Sequence, residues 1–107
     1  MKLSFLYQPV PDLDEAAAFY AGTLGWEQAW RDEESVAFWF PDRSAKVMLS
    51  ISGKQAGPMY LVDSIDEWTQ DHPDAVIAVE EDDAGAGSVI GFESPGGNVF
   101  YVFDQPA

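Results

Sequence analysis

The sequence predicts an α+β fold: two tandem βαβββ modules forming a curved mixed sheet around a cleft. Three observations carry this. Val10-Pro11-Asp12-Leu13-Asp14-Glu15 returns 52 residues later as Val62-Asp63-Ser64-Ile65-Asp66-Glu67, in a chain of 107. Each copy follows an apolar run, Leu3 to Tyr7 in the first and Met59 to Val62 in the second, and each opens a helical pattern. Three strand-like segments then follow each helix. One domain over residues 1–107 is expected, with repeats at about 1–52 and 53–107.

The helix starts are the strongest local signals. Asp12 with Glu15, and Ser64 with Glu67, fit an N-cap whose third helical position is acidic. The first helix is expected from Leu13 to Leu24, because Leu13, Ala17, Tyr20 and Leu24 fall at helical spacing and Gly25 sits where a C-terminal glycine belongs. The second is expected from Ile65 to Asp71, stopped by Pro73. Strands are expected at Trp26–Arg31, Ser35–Phe40 and Lys46–Ile51, then at Val76–Glu80, Ser88–Glu93 and Asn98–Phe103. Pro41-Asp42 and Ser94-Pro95-Gly96-Gly97 supply turn chemistry. The run from Glu80 to Gly87 reads as a charged loop without the oxygen-ligand spacing of an EF-hand.

Composition narrows the function classes. The chain has no cysteine, which excludes disulfides, thiolate metal sites and cysteine nucleophiles. It carries 19 carboxylates against five basic side chains, a formal charge of −14. Phosphate backbones are bound through Lys and Arg, so nucleic acid is not an expected partner. No apolar run approaches a membrane span, and the N-terminus lacks a signal peptide's apolar run and cleavage site. A soluble cytoplasmic protein is expected. Its acidity favours solubility and attracts cations.

The stretch VPDLDEAAAFYAGTLGW resembles the first-helix signature of the vicinal oxygen chelate superfamily, which includes glyoxalase I, bleomycin-resistance proteins and extradiol dioxygenases. The aspartate-leucine pair, Phe19-Tyr20 and the Leu24-Gly25-Trp26 ending all match, and SPGGNVFYVFD resembles the last turn and strand. Members with metal chemistry hold one divalent ion on His, Gln and Glu side chains that project from strands. Seven residues before the capping Asp12, where the resemblance implies the first ligand, stands Phe5; the repeat maps this position onto Gly57. Three residues after the turn Asn98, where a glutamate is usual, stands Tyr101. The remaining position falls in Lys46 to Ile51, a strand without a carboxylate, at Met48 or Ser50. Gln8 is the nearest other donor but has opposite parity to Phe5 and Tyr7. His72, the single histidine, sits beside Pro73 and reads as a solvated turn residue. No metal and no other cofactor is expected.

What remains is a set of aromatic side chains. Phe5, Tyr7, Trp30, Trp39, Tyr60, Tyr101 and Phe103 are the candidate ligand-binding residues, with Val99 of the same parity as Tyr101. Aromatic faces stack planar rings and attract cations through the ring quadrupole. Glu27, Glu80 and Glu93 lie in or beside strands, but none has a partner at a spacing that marks a reaction, so no catalytic residue is assigned. The expectation is a metal-independent binding protein that sequesters an aromatic or cationic small molecule. Resemblance to the drug-binding members implies a homodimer. A glyoxalase-like metal-dependent lyase, isomerase or dioxygenase with displaced ligands, and a regulatory domain that binds protein, stay open.

Overall fold

The computed structural model describes residues 1–83 and 88–105, so the end of the acidic run at 84–87 lies outside the described residues. The chain divides into two compact units, residues 4–56 and residues 57–107, the latter joined by residues 1–3. Each follows the βαβββ order.

In the first unit, β1 (Lys2–Pro9) leads to α1 (Leu13–Ala18), then β2 (Gln28–Arg31), β3 (Ser35–Trp39) and β4 (Lys46–Ser50). The strands lie in the order β2-β3-β4-β1, with β1 parallel to β4 and the other pairs antiparallel. Asp12 caps α1 as its sequence position predicts, its Oδ1 accepting from Glu15 N–H at 3.0 Å. Leu13 and Ala17 pack on Val36, Phe38, Val47 and Leu49, with Tyr20, Trp26 and Phe40 around them.

The helical stripe does not run on to Leu24. After Ala18 the chain widens into a π-helical turn at Phe19–Thr23, closed by Leu24 N–H donating to the Phe19 carbonyl at 3.0 Å. The extra residue per turn rotates Leu24 outward, where it is 41% exposed. Trp26 takes the inward place: its N–H returns to the Tyr20 carbonyl, and its ring meets Tyr20 at 5.3 Å and Phe40 at 5.5 Å. That is why β2 starts at Gln28 and not at Trp26. Gly25 makes the reversal at φ 70°.

The second unit holds β5 (Gly57–Leu61), α2 (Ile65–Asp71), β6 (Val76–Asp83), β7 (Ser88–Ser94) and β8 (Asn98–Phe103). The order is β5-β8-β7-β6, with β5 parallel to β8. Ser64 Oγ caps α2 by accepting from Glu67 N–H at 3.3 Å. Asp104 reinforces that end: Ile65 N–H donates to one carboxylate oxygen at 3.0 Å, and Ser88 N–H to the other at 3.2 Å. The core of this unit joins Val62, Ile65, Ile90, Phe92 and Val102, with Trp68 and Phe100 against them. Residues 80–83 extend β6 where a loop was expected, because the strand stays paired with β7 after two register shifts.

Candidate functional site

Strand alternation sorts the first unit's side chains into two sets. Val36, Phe38, Val47 and Leu49 face α1. The residues between them face away, and registered neighbours share a face. Phe5 pairs with Lys46 and Tyr7 with Met48 across β1 and β4; Trp39 pairs with Lys46, Ala37 with Met48 and Ser35 with Ser50 across β3 and β4. Trp30 pairs with Ala37 beyond the bulge in β2. Four of the aromatic residues singled out in the sequence, Phe5, Tyr7, Trp30 and Trp39, thus stand on one helix-distal face.

That face has a positive centre. Lys46 Nζ lies 4.2 Å from the Trp39 ring centroid and 4.9 Å from that of Phe5. Arg43 Cζ stands 5.4 Å from the same Trp39 ring while its guanidinium bonds Glu27 at 2.8 Å. Phe5 and Trp30 meet edge to face at 6.3 Å. Phe5 and Tyr7 are buried, whereas Trp30, Trp39 and Lys46 are half-buried. The surfaces within reach of a ligand are therefore the indoles and the lysine.

Beside the rings runs a row of four hydroxyls. Ser35 Oγ donates to Ser50 Oγ at 3.0 Å, Ser50 Oγ donates to Ser52 Oγ at 3.1 Å, and Ser52 Oγ bonds the Tyr7 phenol. Ser50 is 1% exposed and also accepts from Ser52 N–H at 3.2 Å, so this buried hydroxyl is well satisfied. Neither Lys46 nor Ser35 and Ser52 stood out in the sequence. A lysine in an alternating strand reads as a solvent-facing residue until the Phe5–Lys46 register is known.

In the second unit Met59 pairs with Tyr101 and Leu61 with Phe103, while Tyr60 pairs with Val102. Tyr60 therefore falls on the helix side, its ring 6.2 Å from Phe100, and does not stand with Tyr101 and Phe103. Tyr101 is 2% exposed and lies between two glycines on neighbouring strands. A Cβ on Gly91 would meet Tyr101 Cε1 at 3.0 Å, and one on Gly57 would meet Cε2 at 3.6 Å. Rings packed over strand glycines in this way recover surface that the missing side chains leave open. Phe103 is 8% exposed and Val99 6%, so this face is packed throughout.

These positions decide whether the superfamily's divalent ion fits. Phe5 offers a hydrocarbon ring. Gly57 offers nothing and has no room for a side chain, since a Cβ there would lie 2.2 Å from the Val99 carbonyl oxygen. Tyr101 is enclosed between glycines, and Ser50 already makes three hydrogen bonds. Hard ions need converging carboxylate, carbonyl or imidazole donors. Among the described residues no group of three His, Cys, Asp or Glu side chains is placed to supply them. Gln8, the nearest alternative, is held on the helix side by the Tyr20 hydroxyl at 3.3 Å. His72 stacks on Trp68 at 4.1 Å, with Nδ1 2.7 Å from the Trp68 carbonyl. The residues present do not fit the ion.

The carboxylates considered for acid–base work lie outside this arrangement. Glu27, Glu80 and Glu93 are exposed. The Arg43 guanidinium, by hydrogen bond and then by charge, holds the Glu27 carboxyl below its ordinary value.

Comparison with known proteins agrees with the fold. A hypothetical protein from Bacillus halodurans C-125 superposes with a TM-score of 0.80 at 15% identity, covering 99% of this chain and 95% of the other. Methylmalonyl-CoA epimerase of Streptomyces coelicolor, in complex with 2-nitronate-propionyl-CoA, gives 0.70 at 13% identity, covering 100% and 99%. A glyoxalase/bleomycin resistance protein/dioxygenase superfamily member from Vibrio splendidus 12B01 gives 0.63 at 21% identity, covering 95% of each chain. At these identities the likeness is one of fold. A comparison with curated proteins finds no match. The model of one family matches residues 2–102, and with it the chain belongs to the Glyoxalase/Bleomycin resistance protein/Dioxygenase superfamily.

Proposed function

We propose that this protein is a metal-independent small-molecule-binding member of its superfamily that takes up a planar aromatic ligand on the helix-distal face of residues 4–56. The observation that supports this is the grouping of Phe5, Trp30 and Trp39 around Lys46 on one face. Half-buried indoles give a planar ring a surface to stack on, at about 0.5–1.5 kcal/mol per ring pair beyond area burial. Of the aromatic and cationic ligands the sequence admits, the geometry favours the aromatic. Trp39 already has Lys46 and Arg43 over it, so an incoming cation would meet like charge.

Sequestration of an aromatic antibiotic, assembly as a homodimer and a cytoplasmic location belong to the same reading. Two measurements test it. Titration of the intrinsic tryptophan fluorescence with a panel of planar aromatic compounds should give a saturable change. Elemental analysis after exposure to Ni, Zn, Mn and Fe should find no stoichiometric ion. One tightly held ion per chain would favour the metal-dependent lyase, isomerase or dioxygenase instead.

A further inference from the structure

We infer that the outer edge of β6 is a docking surface for an extended, basic peptide segment, which adds to the second unit as a further strand. Strand β6 has β7 on one side and, among the described residues, no strand on the other. The outward N–H and C=O groups of such a strand are a template for another chain. The edge is also apolar. Val76 is 58% exposed and Ile77 49%, and Ala78 next to them is exposed. Both large side chains are β-branched and suit a pleated neighbour. This edge belongs to residues 57–107, so the inference stands apart from the ring-lined face of residues 4–56.

The register with β7 shapes this edge. Val76 pairs with Glu93, Ile77 with Phe92 and Val79 with Gly91, so Ala78 is an extra residue with no counterpart in β7. Glu93 and Gly91 share a face of β7, and the bulge therefore brings Val76 and Val79 to one face although three residues separate them. Ile77 goes to the opposite face, registered with the buried Phe92. Apolar side chains thus stand on both faces of one short edge. An added strand would cover Val76 and Val79 with one set of its side chains and Ile77 with the other.

Charge selects the occupant. Residues 57–107 carry eleven carboxylates and no Lys or Arg. Exposed acids flank the apolar run on both sides, Asp71 and Asp74 before it and Glu80 and Glu81 after it, and the exposed Glu93 registers with Val76. A second copy would set the same acids against these, and like charges across a strand pair are destabilising. Charged side chains on an edge guard it against such self-pairing. A basic segment reverses the sign: its Lys or Arg side chains would meet carboxylates of β6 and β7 while its main chain pairs with the edge. In this mode of recognition main-chain bonds supply affinity and the side-chain match supplies selectivity.

The test uses the full chain and a fluorescein-labelled octapeptide of four lysines followed by Val-Thr-Val-Thr, with binding read by anisotropy. It should bind at least about tenfold tighter than the same peptide with glutamate in place of lysine. Two further peptides are N-methylated, one at both valines and the other at both threonines. A strand pairs through one edge, so one of them should lose about tenfold or more and the other less than about threefold. Ile77→Thr should weaken the parent peptide about tenfold, and Glu80→Gln with Glu81→Gln about threefold to tenfold. Should Ile77→Thr fail to fold, Val76→Thr makes the same comparison. Equal loss on both methylations, or affinity unmoved by these substitutions, would mean charge attraction without strand addition and would overturn the inference, as would no binding at all. Sedimentation equilibrium showing a dimer that Ile77→Lys dissociates would give the edge to a second copy and overturn it too.

Discussion

Replacing Gly57 by alanine places a methyl group against the main chain of β8. The new Cβ would lie 2.2 Å from the Val99 carbonyl oxygen and 3.1 Å from its carbon, whereas ordinary contact begins at 3.4 Å. Neither atom belongs to a side chain that can swing away, so β5 and β8 must separate locally by about 1.2 Å, the gap between those distances. A ladder hydrogen bond stretched that far is lost, at about 0.5–1.5 kcal/mol each. Crowding adds about 1–3 kcal/mol, since the Tyr101 ring stands 3.6 Å beyond and is itself enclosed. The sum is about 2–4 kcal/mol, which in a domain of this length lowers Tm by about 10–20 °C. Thermal and denaturant unfolding followed by circular dichroism would measure it. Gly22→Ala is the control: nothing lies within 4 Å of its added methyl, and Tm should hold or rise slightly. A Gly57→Ala variant melting within about 2 °C of the parent would refute the account of the Tyr101 slot, and with it the claim that histidine cannot stand at this position.

Other outcomes follow from the same structure. Tyr7→Phe should lower stability by about 1–2 kcal/mol, because Ser52 loses its phenolic partner beside the buried Ser50. Asp104→Ala should cost about 1–3 kcal/mol by stripping two main-chain donors, Ile65 N–H and Ser88 N–H, and amide exchange at both should accelerate. Glu27 has its folded-state pKa depressed from 4.5 by Arg43, so its contribution is present above that value and fades as pH falls through the lower folded one. The Tm difference between parent and Glu27→Gln should accordingly be present at neutral pH and vanish well below pH 4.5.

How much of this could be read in the sequence depends on the range of the interaction involved. Asp12 and Ser64 announce their helices because a cap is a bond across three residues, and α2 ends at Asp71 because Pro73 forbids continuation. Leu24 was legible only as part of a 3.6-residue stripe, and the π turn that displaces it follows from where Trp26 packs, not from any local propensity. Phe5 and Tyr7 share parity within one strand, so their common face needs no partner to deduce. The place of Lys46 depends on two registers at once, with Phe5 on one side and Trp39 on the other. Tyr60 shows the converse. Its aromatic identity marked it, yet its pairing with Val102 assigns it to the helix side, and a one-residue change of register would have reversed that.

The two units share an order of elements but have divided the work of the repeat. In residues 57–103 the helix-distal face is filled by Met59, Val99, Tyr101 and Phe103, all under 9% exposed, with Tyr101 fitted between Gly57 and Gly91. A ring in that slot and an ion held by a side chain at 57 are mutually exclusive, because both need the space above the same glycine. Committing that face to packing removes its donors and adds apolar burial of about 1.5–3 kcal/mol for a large side chain. In residues 4–56 the equivalent face keeps polar atoms: one lysine and four hydroxyls among the rings. Two copies of one βαβββ order thus put the same face to different use: packing around the Gly57 slot in one, and polar atoms among rings in the other.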